Sequence, residues 1–218
     1  MLDKLNAGSA VLVVSAHPDD AEIGMGGTIA KLIQNGLDVV SVVLTDGRRS
    51  PNPAQIPVEK LISMRMEEAR NAARILGISN VIFLGLNDLR EPANITHASE
   101  QFKSIVEERY PSAVFALHPQ LDRHPTHQTC GEIVRQAVPS GLPVWAYEVW
   151  GLFPNWDNFE DISNQIETKI AAIREHRSQI AVIPYEAGVR GLNRWRAVFA
   201  DPSEQKPACA YAEVFLKL

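Results

Sequence analysis

Short apolar, β-rich runs that alternate with longer stretches of helical period constrain this chain more than any other feature. Residues 10–16 (AVLVVSA), 38–44 (DVVSVVL), 81–85 (VIFLG) and 113–117 (AVFAL) are almost continuously apolar, so each reads as a strand covered on both faces. Between them lie helical patterns: roughly Ile23 to Asn35 with Gly36 as a stop, VEKLISMRMEEARNAARILG closing on Gly77, a helix around Ser99–Arg109, and one entered at about Thr126 as N-cap. Strands separated by helices must pair in parallel, which predicts an α/β fold with helices on both faces of a mostly parallel sheet. The C-terminal third is less regular. PVWAYEVW reads as a strand, ISNQIETKIAAIREH as a helix and AYAEVFLKL as a late strand. No repeat or linker interrupts the 218 residues, and one domain over 1–218 is expected.

In open α/β sheets, ligands gather at the carboxyl ends of strands, near the point where strand order reverses. The first strand runs into SAHPDDAEIGMGG and the fourth into HPQLDRHPTHQTC. Four of the six histidines, His17, His118, His124 and His127, lie at these two ends together with Asp19, Asp20 and Asp122. Two adjacent carboxylates repel, and a divalent cation between the loops turns that repulsion into attraction. Imidazole with carboxylate suits zinc. The bland alternative for HPDD or HPTH alone is a turn or helix cap, and Asp122 also reads as a turn residue. His97 and His176 are expected to lie outside the site. GMGGT lacks the dinucleotide glycine order and follows three carboxylates that would repel a pyrophosphate; its glycines instead suggest close packing of the first helix. No G-x-S-x-G elbow is present, and Cys130 is a weak nucleophile candidate.

Several partners are disfavoured. A formal charge of −5 with no Lys/Arg cluster argues against nucleic acid. With no basic leader and no run of roughly 18 apolar residues, a cytoplasmic protein without a membrane span is expected. Cys130 and Cys209 are too isolated for a disulfide framework or a cysteine zinc site.

AHPDD after an apolar strand, GGTIAKLIQNG, TDG after the second strand, RMEEARNAARILG and DRHPTH together resemble the PIG-L, or LmbE-like, zinc-dependent N-deacetylases, with YAEVF near the end also similar. The resemblance implies a Rossmann-like α/β fold with its metal site at the C-terminal strand ends. It implies Zn2+, or another divalent ion, held by His17, Asp20 and His127. It gives Asp19 the role of general base, and His124 that of stabilising the tetrahedral intermediate or protonating the amine. Zinc supplies an acidified water and a polarised carbonyl, so one carboxylate of the pair serves as ligand and the other as base. Arg65 matches a family arginine that binds polar substrate groups; a surface ion pair with Glu68 is the alternative. Arg48 and Arg49 are expected at the pocket mouth or in solvent, and Trp145–Trp156 as a stacking wall or as core. Family members commonly read HPDH where this chain has Thr126. The missing carboxylate lowers the expected pKa of His124, unless Asp122 supplies the charge. The implied substrate is a small amino sugar of N-acetylglucosamine type, and a homo-oligomer is expected from the resemblance alone. Another small amide as substrate, or a non-catalytic metal- or sugar-binding module, stays open.

Overall fold

A computed structural model describes residue 5 and residues 7–199 and 209–218. Seven strands form one sheet: β1 (Ala10–Ser15), β2 (Asp38–Thr45), β3 (Asn80–Leu86), β4 (Ala113–Leu117), β5 (Val144–Tyr147), β6 (Asn158–Asp161) and β7 (Ala212–Lys217). Their order is β3-β2-β1-β4-β5-β7-β6. The first five pair in parallel, and β7 runs antiparallel to both β5 and β6. The helices are α1 (Asp20–Gln34), α2 (Val58–Leu76), α3 (Pro92–Arg109), α4 (Pro125–Ala137), α5 (Ile166–Glu175), α6 (Arg177–Ile180) and α7 (Tyr185–Phe199). Right-handed crossovers from β1 outward to β3, then from β3 back to β4 and on to β5, put α1 and α2 on one face and α3 and α4 on the other. α5 packs on α1 and α2, while α3 packs on α4. The predicted α/β architecture is the observed one.

Strands β1 and β4 are central and completely covered, which is why their sequences carry no polar alternation. Gly77 caps α2 at φ 89°, a backbone setting that glycine adopts without a Cβ penalty. Three predicted boundaries shift. α1 begins at Asp20 rather than Ile23. α3 begins at Pro92 rather than Ser99, because a proline fits the first helical turn. α4 begins at Pro125 with His124 as its N-cap, so Thr126 lies inside the helix rather than capping it. α7 and β6 were not anticipated. Two glycines weaken the helical signal of α7, and β6 is a four-residue edge strand.

The glycines of α1 do serve close packing. A Cβ on Gly24 would overlap the Tyr147 ring, and one on Gly27 would overlap Ile162. The helix breaks at Met25 (φ −142°, ψ 23°), which opens a new helical start with unpaired N–H groups. The Glu213 carboxylate on β7 accepts from Gly27 N at 3.0 Å and Thr28 N at 2.7 Å. Lys169, fully buried on α5, offsets that charge at 2.6 Å and also donates to Asn193 Oδ1 at 3.0 Å. Removing one partner leaves the other charge buried. Lys169→Met is expected to destabilise the fold by about 3–5 kcal/mol, read as a fall in Tm of roughly 6–20 °C for a chain of this size.

Candidate metal centre and active site

Strand order reverses between β1 and β4, so the loops leaving their carboxyl ends diverge and open a crevice. The loop after β1 is pinned on both sides. Ala16 O accepts from Thr45 N at 3.0 Å and Thr45 Oγ1 at 2.7 Å, and Tyr147 OH donates to Val14 O at 2.9 Å. Asp20 Oδ2 accepts the His17 N–H at 2.7 Å. After β4, Asp122 Oδ1 accepts the His124 N–H at 2.8 Å and Oδ2 the Trp150 N–H at 3.2 Å, which draws the loop following β5 against the start of α4.

These loops bring His17, Asp20, His124 and His127 together. His17 Nδ1 lies 3.0 Å from His127 Nε2, His127 Nε2 lies 3.2 Å from Asp20 Oδ1, and His17 Nδ1 lies 3.5 Å from Asp20 Oδ2. A tetrahedral ion bonded at about 2.1 Å separates its ligands by about 3.4 Å, so the three side chains have the spacing of one face of such a site. Including His124 widens the set: one ligand atom from each of the three histidines lies within 4.8 Å of the others. The charges fit a cation too. His127 is fully buried, with Nε2 facing Asp20 and Nδ1 3.1 Å from Asp122 Oδ2. Burial depresses its pKa, but the Asp20 charge and the bonds to Asp122 and Asp20 overcome this and push it up to about 10. The Asp20 carboxyl is held well below its usual range against its own burial, chiefly by His127 and His17. A proton on His127 thus answers the carboxylates where a divalent ion would answer them better, with Asp122 fixing the ring.

Asp19 points elsewhere. It is buried and its Oδ1 lies 2.9 Å from Arg65 Nη2. Arg65, only 1 % exposed, also reaches Gly47 O and Ser50 Oγ. The alternative pairing of Arg65 with Glu68 is not formed. Glu68 instead accepts from Ser178 N at 2.8 Å and Ser178 Oγ at 2.6 Å. Asp122 lies against the His127 ring and accepts the His124 backbone N–H, and its charge also bears on the His124 ring. The His124 pKa is lowered, by burial first and then by His127 and His17, with Asp20 and Asp122 opposing. His118 stays outside the cluster: its Nδ1 accepts from Gln120 N and Leu121 N, closing the turn after β4. His176 lies at the junction of α5 and α6, outside the cluster, and is buried with Nε2 3.6 Å from Glu22 Oε2. Burial, with Asp20 and Asp122 nearby, raises the Cys130 thiol well above its ordinary value, so it supplies no thiolate.

A cavity of about 420 Å³ opens over this centre. Asp19, Asp20, His17, His124 and Thr126 form its floor and near wall, and Arg48, Arg49 and Arg90 its polar rim. Arg48 is anchored on Asp46, while Arg49 and Arg90 share Asp88. Trp150, 48 % exposed, and Tyr185 also line it. The tryptophans of residues 145–156 therefore divide: Trp145 packs with the core, Trp156 lies under Arg196, and Trp150 faces the cavity. Gln179, Ile183 and Tyr185 had no signal in the sequence, because they enter from the irregular C-terminal third.

Residues 12–138 match the family PIG-L, described as GlcNAc-PI de-N-acetylase. The chain is 31% identical over 188 residues to the diacetylchitobiose deacetylase of Thermococcus kodakarensis, covering 78% of this chain and 69% of that protein. It is similar in structure to the N,N'-diacetylchitobiose deacetylase of Pyrococcus horikoshii solved with an inhibitor, at TM-score 0.83 and 26% identity, over 96% of this chain and 84% of that one. It also has the fold of GalB, the 4-carboxy-2-hydroxymuconate hydratase of Pseudomonas putida KT2440, at TM-score 0.82 and 22% identity, over 96% of both chains.

Proposed function

Because the chain belongs to the PIG-L family of GlcNAc-PI de-N-acetylases, we propose that it is a metal-dependent hydrolase that removes an N-acyl group, acetyl first among them, from an amino sugar of N-acetylglucosamine type. The observation that carries this reading is the convergence of His17, Asp20 and His127 at ligand spacing, with a buried carboxylate, Asp19, in the same cavity. We assign His17, Asp20 and His127 as ligands, zinc being the ion their chemistry fits best. Such an ion supplies an acidified water and draws electron density from the amide carbonyl.

The rest is work for the side chains. Asp19 accepts the proton of the attacking water, and Arg65 holds its carboxylate in place through Oδ1. His124, on the cavity wall, donates an N–H toward the oxygen and nitrogen where charge develops. The polar rim binds sugar hydroxyls; Arg65 is too deeply engaged with Asp19 to be its main contact, so its substrate role is indirect.

The test is direct. The purified protein, loaded with zinc, is incubated with N,N'-diacetylchitobiose and N-acetylglucosamine, and both acetate and free amine are measured. Release of the two in equal amounts distinguishes amide hydrolysis from hydration, the reaction of a neighbour with the same fold. No acid from any N-acylglucosamine, at full metal occupancy, ends the proposal. Asp122→Asn is expected to weaken zinc affinity about 10- to 100-fold by loosening the His127 ring, measured by competition with a chromogenic chelator.

A further inference from the structure

A second cavity, of about 450 Å³, adjoins the first and shares three wall residues with it: Trp150, Ile183 and Tyr185. Each cavity falls within the size range of small-molecule sites. The second one is apolar in effect. Ile23, Val149, Val189 and Leu192 line it, and its carboxylates and amide, Glu148, Glu213 and Asn193, are already engaged by protein partners. Glu148 holds Arg196 and the Phe153 N–H; Asn193 holds Lys169 and Ala212 O; Glu213 holds Lys169 and two backbone N–H groups. With its charged groups paired inside the protein, the cavity offers a guest chiefly aliphatic and aromatic surface, with polar handles at the Trp150 and Tyr185 end it shares with the first cavity, and these walls suit hydrocarbon.

Geometry says which part of a substrate reaches it. An amide is planar and trans, so its nitrogen substituent and its acyl chain leave the carbonyl group in opposite directions. With the amide over His17, Asp20 and His127 and the sugar at the arginines, an acyl chain that passes Trp150, Ile183 and Tyr185, which line both cavities, enters the second one. We propose that the second cavity is an acyl-chain subsite, and that this chain hydrolyses N-acylglucosamines whose straight acyl chain is longer than acetyl. This rests on the deacylase reading. Water adds across the C–N bond, leaving a fatty carboxylate and a free amine on the sugar.

Gly188, on α7, permits a clean test, because it lines the second cavity and no described atom lies within 4 Å of where its Cβ would be. Gly188 is exposed at the edge of that lining, so a leucine there has open space to occupy beside the cavity without a clash, and leucine favours the helix over glycine. The kcat/KM of the zinc-loaded protein is measured for N-acetyl-, N-butyryl-, N-hexanoyl- and N-octanoylglucosamine, in the parent and in Gly188→Leu, with Tm confirming the fold of each. In the parent, hexanoyl and octanoyl substrates are expected to match or exceed acetyl, since each buried methylene contributes up to about fourfold. In Gly188→Leu, the octanoyl-to-acetyl ratio is expected to fall at least tenfold. A steep fall with chain length in the parent, or an unchanged ratio in the variant, overturns the subsite. Calorimetric binding of N-octanoylglucosamine, in the parent and in Gly188→Leu, gives a readout independent of turnover: tenfold weaker binding to the variant supports the subsite, and equal or absent binding overturns it. Loss of all hydrolysis with binding retained strikes the deacylase reading instead.

Discussion

Replacing Asp19 with Asn is expected to lower kcat/KM about 10²- to 10⁴-fold, the usual contribution of a general base, while zinc content stays at one ion per chain. The substitution keeps the shape of the side chain and a hydrogen bond acceptor for Arg65, and it touches none of His17, Asp20 and His127. It removes the capacity to take a proton and, with it, the negative charge opposite buried Arg65, so Tm is read alongside. Metal analysis beside steady-state kinetics separates the two effects. Retained activity would take the base role from Asp19, and lost zinc would mean that the carboxylate belongs to the metal centre rather than beside it.

Arg65→Met is expected to cost about 3–5 kcal/mol of stability, because a buried carboxylate is left without its partner, and to reduce kcat together with it. Methionine matches the stem of arginine, so packing on α2 changes little and the electrostatic loss dominates. Chemical denaturation measures the first effect. A separation of KM from kcat measures the second: if Arg65 chiefly bound substrate, KM would rise with kcat preserved, whereas a residue that holds Asp19 in position moves kcat.

The central strands were legible because burial on both faces removes polar residues from the sequence, as in Val11–Val14 and Ala113–Leu117. The site was legible in outline because clustered histidines at two strand ends have little other reason to recur. What stayed hidden depends on long-range closure. The Arg65–Asp19 pair joins α2 to the loop after β1, and it needs Gly47, at φ 71°, where a Cβ would meet the guanidinium. Local pattern favoured Glu68, one turn away, but the helix turns that carboxylate toward Ser178. The role of Asp122 was hidden for a related reason. Whether it lies against the ring of His124 or of His127 is decided by how α4 starts after Pro125, which spacing alone does not fix.

The Glu213 clasp on Gly27 and Thr28 spans 186 and 185 positions. During synthesis, the helix that begins at Asp20 emerges from the ribosome long before the residue that fastens its broken turn. A nascent chain therefore carries the broken turn of α1 without its clasp until β7 has been made, so α1 is fastened only when nearly the whole chain is present.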